Sequence, residues 1–106
     1  MKVISEHIDQ IIQLCEINKV KSLFAFGSVI TDKFNSESDI DLVVEIDDND
    51  PISYSEKYFN LKFQLEELLK RQIDLLEQKA IRNRFLKSEI DQTKVQIYGK
   101  GNKNLA

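Results

Sequence analysis

Two aspartates separated by one residue, Asp39 and Asp41, open the apolar run in the segment SDIDLVVEI. If that run is a strand, alternation places both carboxylates on one face, about 7 Å apart along the chain. Two charged carboxylates in a dry site repel one another, and water or a cation between them relieves the repulsion. Oxygen ligands of this kind favour magnesium or manganese over zinc. Taken alone, the pair is also consistent with a strand that simply begins in solvent.

A Gly-Ser pair, Gly27 and Ser28, follows the apolar run LFAF, and Asp39 comes eleven residues after the serine. A strand-to-helix turn of this composition presents free backbone N–H groups and a hydroxyl, which together can cradle a phosphate. The glycine allows a ligand to approach the backbone closely. A phosphate cradle beside metal-binding carboxylates is the equipment for phosphoryl or nucleotidyl transfer.

The elements that must position these residues follow from the periodicity of the apolar side chains. Ser28 is expected to cap a short helix, and Ser53 with Glu56 forms a capping box for a long one. Helices alternating with strands predict the α/β class, with a small, partly parallel sheet of about four strands flanked by helices. Helical patterns cover residues 3–17, 28–34, 53–70 and 80–91, and strand patterns cover residues 20–26, 38–46, 72–76 and 94–98.

The composition is that of an ordinary globular protein and restricts the class of partner. The chain has 106 residues, of which 42% are hydrophobic and 31% charged, with a net charge of −3. We therefore expect a single domain over residues 1–98 and a flexible tail over residues 99–106. The negative charge argues against strong nucleic-acid binding. Neither a membrane segment nor a signal peptide is indicated, and the single cysteine forms no internal disulfide, so we expect a cytoplasmic protein.

The segment FGSVITDKFNSESDIDLVVE resembles the signature of the DNA polymerase beta-like nucleotidyltransferase superfamily, and the short length resembles its minimal, MNT-type members. The resemblance implies a third carboxylate at Asp74, in QIDLL, which on its own would be one solvated acid in a short strand. It further implies that Asp39, Asp41 and Asp74 are catalytic and bind two Mg²⁺ ions, with Mn²⁺ as an alternative. Gly27 and Ser28 would hold the phosphates of ATP.

One position departs from the pattern of the family. Many members carry an arginine shortly after Gly-Ser, and this chain has Thr31 at that place. Lys33 is the candidate replacement cation for the triphosphate, and it is equally consistent with an ordinary surface lysine.

The resemblance implies transfer of a nucleoside monophosphate, AMP from ATP, onto a hydroxyl. So small a chain leaves no room for an acceptor-binding domain, so a partner or a second copy of the chain must supply that surface. Minimal members of the family act as antitoxins that adenylylate a tyrosine on a helical HEPN toxin, which is the function we expect. The alternative is a binding module that silences its partner by occlusion. A small-molecule nucleotidyltransferase would need a further helical domain.

Overall fold

The computed structural model describes residues 1–99, which form a four-stranded mixed sheet with helices on its faces. The predicted α/β class and strand number are confirmed. None of the helices within these residues combines the length and apolar character needed to cross a bilayer. The helices are α1 (Lys2–Ser5), α2 (Ile8–Ile17), α3 (Pro51–Leu69) and α4 (Arg84–Thr93), the strands are β1 (Val20–Phe26), β2 (Ile40–Ile46), β3 (Ile73–Glu77) and β4 (Val95–Gly99), and 3₁₀ turns cover Gly27–Ile30 and Gln78–Ala80.

The sheet has the strand order β3-β2-β1-β4. Strand β1 runs antiparallel to both of its neighbours, whereas β2 and β3 are parallel and are joined through α3. The end of β1 therefore lies beside the beginnings of β2 and β3. This topology brings the Gly-Ser turn and all three predicted aspartates to one end of the sheet.

One face of the sheet carries the hydrophobic core. Ile40, Leu42 and Val44 are at most 1% exposed, and they pack with buried side chains of α2 and α3 such as Cys15 and Leu61. On the opposite face, Val43 is also buried, and it lines a narrow gap together with side chains of α4. Strand β2 is thus covered on both faces at its centre.

The outer edge of β3 is covered by side chains of α3. The Glu66 carboxylate accepts a hydrogen bond of 3.1 Å from the backbone N–H of Ile73, and the Tyr58 hydroxyl donates one to the carbonyl of Leu75. An uncovered edge strand would leave such groups free to pair with another chain. The two contacts also fix the strand on either side of Asp74.

Several predicted boundaries were wrong, and side-chain hydrogen bonds explain most of the differences. The long helix begins at Pro51 with Asp50 as its N-cap, because the Asp50 carboxylate accepts from the Ser53 N–H. The predicted capping box of Ser53 and Glu56 is therefore wrong. The observed start agrees with the general preference for proline at the first helical position. The late helix begins at Arg84, after Asn83, whose side chain caps it.

The helix predicted over residues 28–34 is instead a 3₁₀ turn that ends at Ile30. The Thr31 hydroxyl donates to the carbonyl of Ser28 and accepts from the N–H of Lys33, and such side-chain bonds compete with helix continuation. Ser28 does not cap the turn, since the N-cap position belongs to Phe26.

The remaining differences are at element ends. The helix predicted over residues 3–17 divides into α1 and α2 at Glu6 and His7, where no glycine or proline marks the break. Strand β2 begins at Ile40, which leaves Asp39 just before the strand, and β3 and β4 are each shifted by one residue. Gly99 belongs to β4, and the rest of the predicted tail lies outside the described residues.

Candidate functional site

The three predicted aspartates lie at the same end of the sheet. In the strand register, Asp41 of β2 is paired with Asp74 of β3 on one side and with Phe26, the last residue of β1, on the other. Asp39 lies two residues before Asp41, immediately ahead of the strand. Because strand side chains alternate, Asp41 and Asp74 point to the same face as Val43, away from the main core.

The Gly-Ser turn packs directly against Asp41. Gly27 has a φ of +73°, a conformation that residues with a side chain rarely adopt, and a Cβ atom built on it would lie 2.5 Å from Oδ2 of Asp41. The backbone of the turn and a site carboxylate therefore touch with no room for a side chain between them. The role of glycine at this position is the close approach that its lack of a side chain permits.

Electrostatic repulsion within the site acts on Asp41. Burial raises the pKa of the Asp41 carboxyl, and the charges of Asp74 and Asp39 raise that pKa further, as does a hydrogen bond with the Asp74 side chain. Asp39 and Asp74 are themselves exposed. A half-buried carboxylate flanked by two exposed ones is a concentration of negative charge that a ligand can reach from solvent.

The donor chemistry of this group fits a hard divalent cation. Carboxylate oxygens are preferred ligands of Mg²⁺ and Mn²⁺, and a cation would relieve the repulsion that acts on Asp41. Within residues 1–99, however, no three His, Cys, Asp or Glu side chains are already arranged around one point as a metal site.

The other predicted binding residues differ in how well the structure places them. Ser28 is half-buried within the turn beside Gly27, and its carbonyl is engaged by the Thr31 hydroxyl. Lys33 lies in the following loop with an exposed side chain, and its amine forms no hydrogen bond or ion pair with residues 1–99. The structure therefore brings the Gly27-Ser28 turn to Asp41, whereas Lys33 forms no ion pair with any of the three aspartates.

Arg71 is a residue near the site that sequence reasoning missed. It lies three residues before Asp74, and its guanidinium hydrogen-bonds to the loop that precedes Asp39. No motif marks it, because the contact joins segments more than thirty residues apart. The signal that could have found it is the parallel pairing of β2 with β3, which places the residues before the two strands side by side.

Comparison with protein families matches residues 9–103 to the family described as polymerase beta, nucleotidyltransferase. The chain belongs to this family. It is a nucleotidyltransferase, and both the family and the fold expected from the sequence are confirmed.

A curated relative is also named as a nucleotide-transferring enzyme. The Methanocaldococcus jannaschii protein named "Putative protein adenylyltransferase MJ1379" is 39% identical over 79 residues, which are 74% of this chain and 78% of the relative. This chain is therefore similar to a protein named for transferring an adenylyl group to protein.

Two solved structures share the fold. A chain in a crystal structure of a toxin-antitoxin with AMP-PNP is 26% identical, with a TM-score of 0.67 and coverage of 89% of this chain and 74% of that chain. A chain in the structure of a tri-AMPylated Shewanella oneidensis HEPN toxin in complex with MNT antitoxin is 23% identical, with a TM-score of 0.62 and coverage of 95% and 76%. At that identity, the second likeness shows the fold alone.

Proposed function

We propose that this chain is a metal-dependent protein adenylyltransferase that moves AMP from ATP onto a tyrosine hydroxyl of a HEPN-type toxin, and that it acts as the antitoxin. The observation that carries the proposal is the contact between the Gly27 backbone and the Asp41 carboxylate, with Asp74 in register beside it. A triphosphate on the turn would lie next to the carboxylates, and the two negatively charged groups tolerate one another only with a cation between them.

Each residue of the site has a role in this proposal. Asp39 and Asp41 would hold two Mg²⁺ ions, and Asp74 would be a further ligand of one of them. When bound, the ions would supply charge neutralisation on the phosphates and a lower pKa for the attacking hydroxyl. The N–H groups of the Gly27 turn and the Ser28 hydroxyl bind the β- and γ-phosphates, and Lys33 remains the candidate cation beside them.

The transfer step is an in-line displacement. The oxygen of the acceptor hydroxyl bonds to the α-phosphorus of ATP, and the bond from that phosphorus to the bridging oxygen breaks, so that pyrophosphate leaves. The hydroxyl proton leaves by way of Asp74, whose exposed carboxylate opens to solvent. Holding both reactants at the end of one sheet lowers the entropic part of the barrier.

The comparisons support the nucleotide and the partner by similarity. The relative named for protein adenylyltransfer supports a protein acceptor, and the 26% identical chain in a toxin-antitoxin structure with AMP-PNP supports an adenine nucleotide and a toxin partner. The choice of a HEPN toxin and a tyrosine acceptor comes from the resemblance to MNT-type proteins.

A second candidate function is antitoxin action by occlusion, with little or no transfer. The observation that favours it is Thr31, whose hydroxyl closes the turn at the place where the family carries an arginine. Retention of all three aspartates favours transfer.

The test is incubation of the chain with Mg²⁺, ATP labelled in the α-phosphate and the helical protein encoded beside it. We expect the partner to gain the mass of one or more AMP groups, located on tyrosine by peptide mass spectrometry. Asp39→Asn should abolish the gain, and Asp47→Asn is the matched control because Asp47 is an exposed aspartate at the far end of β2. If Asp39→Asn still protects cells against the toxin as well as wild type does, protection by transfer is refuted and occlusion is supported.

A further inference from the structure

A single arginine joins the loop before Asp39 to the start of β3. Nη1 of Arg71 donates hydrogen bonds to two backbone carbonyls, that of Asn35 at 3.0 Å and that of Ser38 at 2.7 Å. The guanidinium also lies over the ring of Phe34, 4.5 Å from its centroid, and Phe34 packs against the core. Arg71 therefore fixes both ends of a four-residue loop to the same point.

The loop is also closed by its own hydrogen bonds. The Ser38 N–H donates to the carbonyl of Asn35, the Asn35 N–H donates to the Ser38 hydroxyl, and the Glu37 N–H donates to the Asn35 side chain. These bonds hold the loop compact but do not attach it to the sheet. The attachment comes from Arg71 and from the Phe34 ring that the guanidinium covers.

Asp39 directly follows the attached loop, so its backbone is restrained by the same contacts. The carbonyl of Ser38 belongs to the peptide bond that leads into Asp39, so a bond to that carbonyl restrains the backbone of the aspartate directly. On the other side, Ile40 is the first residue paired with β3, and its N–H donates to the carbonyl of Gln72. Asp39 is thus held between the first pair of the ladder and the carbonyl that Arg71 binds.

The positively charged guanidinium of Arg71 binds neutral backbone carbonyls. None of the ion pairs within residues 1–99 includes it, although the site is rich in carboxylates. A planar guanidinium suits this task because it can bond to carbonyls at its edge while its face lies on an aromatic ring. A lysine has no such flat face, so exchange of the two residues would not be conservative here.

We propose that Arg71 is a positioning residue for the transfer reaction: it holds the loop Asn35–Ser38 so that the Asp39 carboxylate is presented beside Asp41. This inference rests on the proposed function, since it concerns the metal-binding role of Asp39. In this role Arg71 acts only through Asp39. A partner that orients a metal ligand in this way commonly affects metal affinity by about 10- to 100-fold.

The experiment measures Mn²⁺ binding by calorimetry, with no nucleotide present, in Arg71→Gln and in the control Arg82→Gln. Arg82 is exposed and lies outside the helices and strands. We expect Arg71→Gln to weaken Mn²⁺ binding about tenfold and to lower kcat while the KM for ATP changes little. Arg71→Lys should fall between wild type and Arg71→Gln, and Arg82→Gln should match wild type.

A double variant tests whether Arg71 acts through Asp39. If it does, Arg71→Gln should cause no further loss of Mn²⁺ affinity in an Asp39→Asn background, because the carboxylate that it positions is already gone. If Arg71→Gln proves too unstable to assay, Phe34→Leu removes the ring beneath the guanidinium, leaves both hydrogen bonds in place and should give a smaller loss of the same kind.

The outcomes separate this inference from the proposed function. If wild type binds no Mn²⁺, the metal-dependent function fails and this inference fails with it. If wild type binds Mn²⁺, Asp39→Asn binds it measurably more weakly, and Arg71→Gln binds normally, the positioning role alone is overturned. A lower melting temperature for Arg71→Gln with unchanged Mn²⁺ affinity and kcat would also overturn it, because Arg71 would then only stabilise the loop.

Discussion

Gly27 lies against Asp41 so closely that a methyl group on the glycine would sit 2.5 Å from the carboxylate oxygen Oδ2. Gly27→Ala must therefore displace the Asp41 carboxyl, which lies at the end of a movable side chain, and must also hold alanine at a φ of +73°. We expect the variant to fold, to lose about 1–2 kcal/mol of unfolding free energy to the backbone strain and a further amount to displacement of the carboxyl, and to lose most transfer activity.

Urea denaturation and the AMP-transfer assay measure the two effects separately. The matched control is Gly27→Ala in an Asp41→Ala background, where the collision is absent and the cost should fall to that of the backbone conformation alone. Full transfer activity in Gly27→Ala would contradict a site in which the turn and Asp41 must be in contact.

Asp41 should destabilise the metal-free protein at neutral pH. Burial disfavours its charged form, and the neighbouring charges of Asp74 and Asp39 disfavour it further. Asp41→Asn keeps the shape and removes the charge, so we expect a higher melting temperature than wild type in the presence of a chelator. Asp47→Asn, which changes an exposed aspartate away from the site, should show no such increase.

Addition of Mn²⁺ should reverse the order of the melting temperatures of Asp41→Asn and wild type. An ion that binds only the folded state stabilises it more the tighter it binds, by RT ln(1 + c/Kd) at ion concentration c, and Asp41→Asn lacks one of the proposed ligands. Wild type should therefore gain more in melting temperature than the variant does. Equal gains would mean that Asp41 is not a ligand.

Much of this site could be predicted from local sequence. The alternation of apolar and acidic residues in SDIDLVVEI places Asp41 on the face opposite the core, and the glycine after LFAF marks the turn that meets it. Both features are properties of a single strand and the turn beside it, so residues close together in the sequence are sufficient to predict them.

Contacts between distant segments could not be predicted in the same way. The pairing of Asp41 with Asp74 depends on the parallel register of two strands joined by a 19-residue helix, and only the family resemblance indicated it. The Arg71 contact depends on that same register. The capping error had a local cause, because Asp50 and Ser53 are both good caps. In the structure the Asp50 carboxylate caps the helix, and the Ser53 hydroxyl donates to Asp48 instead of acting as a cap.

Asp39→Asn and Asp74→Asn should each lower kcat for AMP transfer by about 10²-fold or more, as loss of a group that stabilises transition-state charge does. Both side chains are exposed, and surface substitutions usually change stability by less than about 0.5 kcal/mol. Each variant also removes a charge that repels Asp41, so in circular dichroism melts in the presence of a chelator both should melt at or slightly above the wild-type temperature. Asp47→Asn should retain full activity, and an active Asp74→Asn would remove that residue from the mechanism.

The connector between β2 and α3 should give the protein a pH-dependent stability that is independent of the site. Asp48 accepts hydrogen bonds from the Lys57 amine at 2.6 Å, from the Ser53 hydroxyl and from the N–H of Asp50. The bond from Lys57 is the largest cause of a pKa for the Asp48 carboxyl well below its usual range, and the other two lower it further. A depressed folded-state pKa means that this stabilisation is present above the unfolded-state pKa of about 3.9 and is lost as the pH falls below it.

Asp48→Asn should therefore be less stable than wild type at pH 7, and the difference should shrink progressively as the pH is lowered below about 4. Urea unfolding midpoints measured at several pH values test this directly. The control is again Asp47→Asn, because Asp47 neighbours Asp48 in the chain and is exposed. It should follow the wild-type curve at every pH. A constant difference between Asp48→Asn and wild type down to the lowest pH would show that the loss comes from packing, and that the charge on Asp48 adds nothing to the free energy of unfolding.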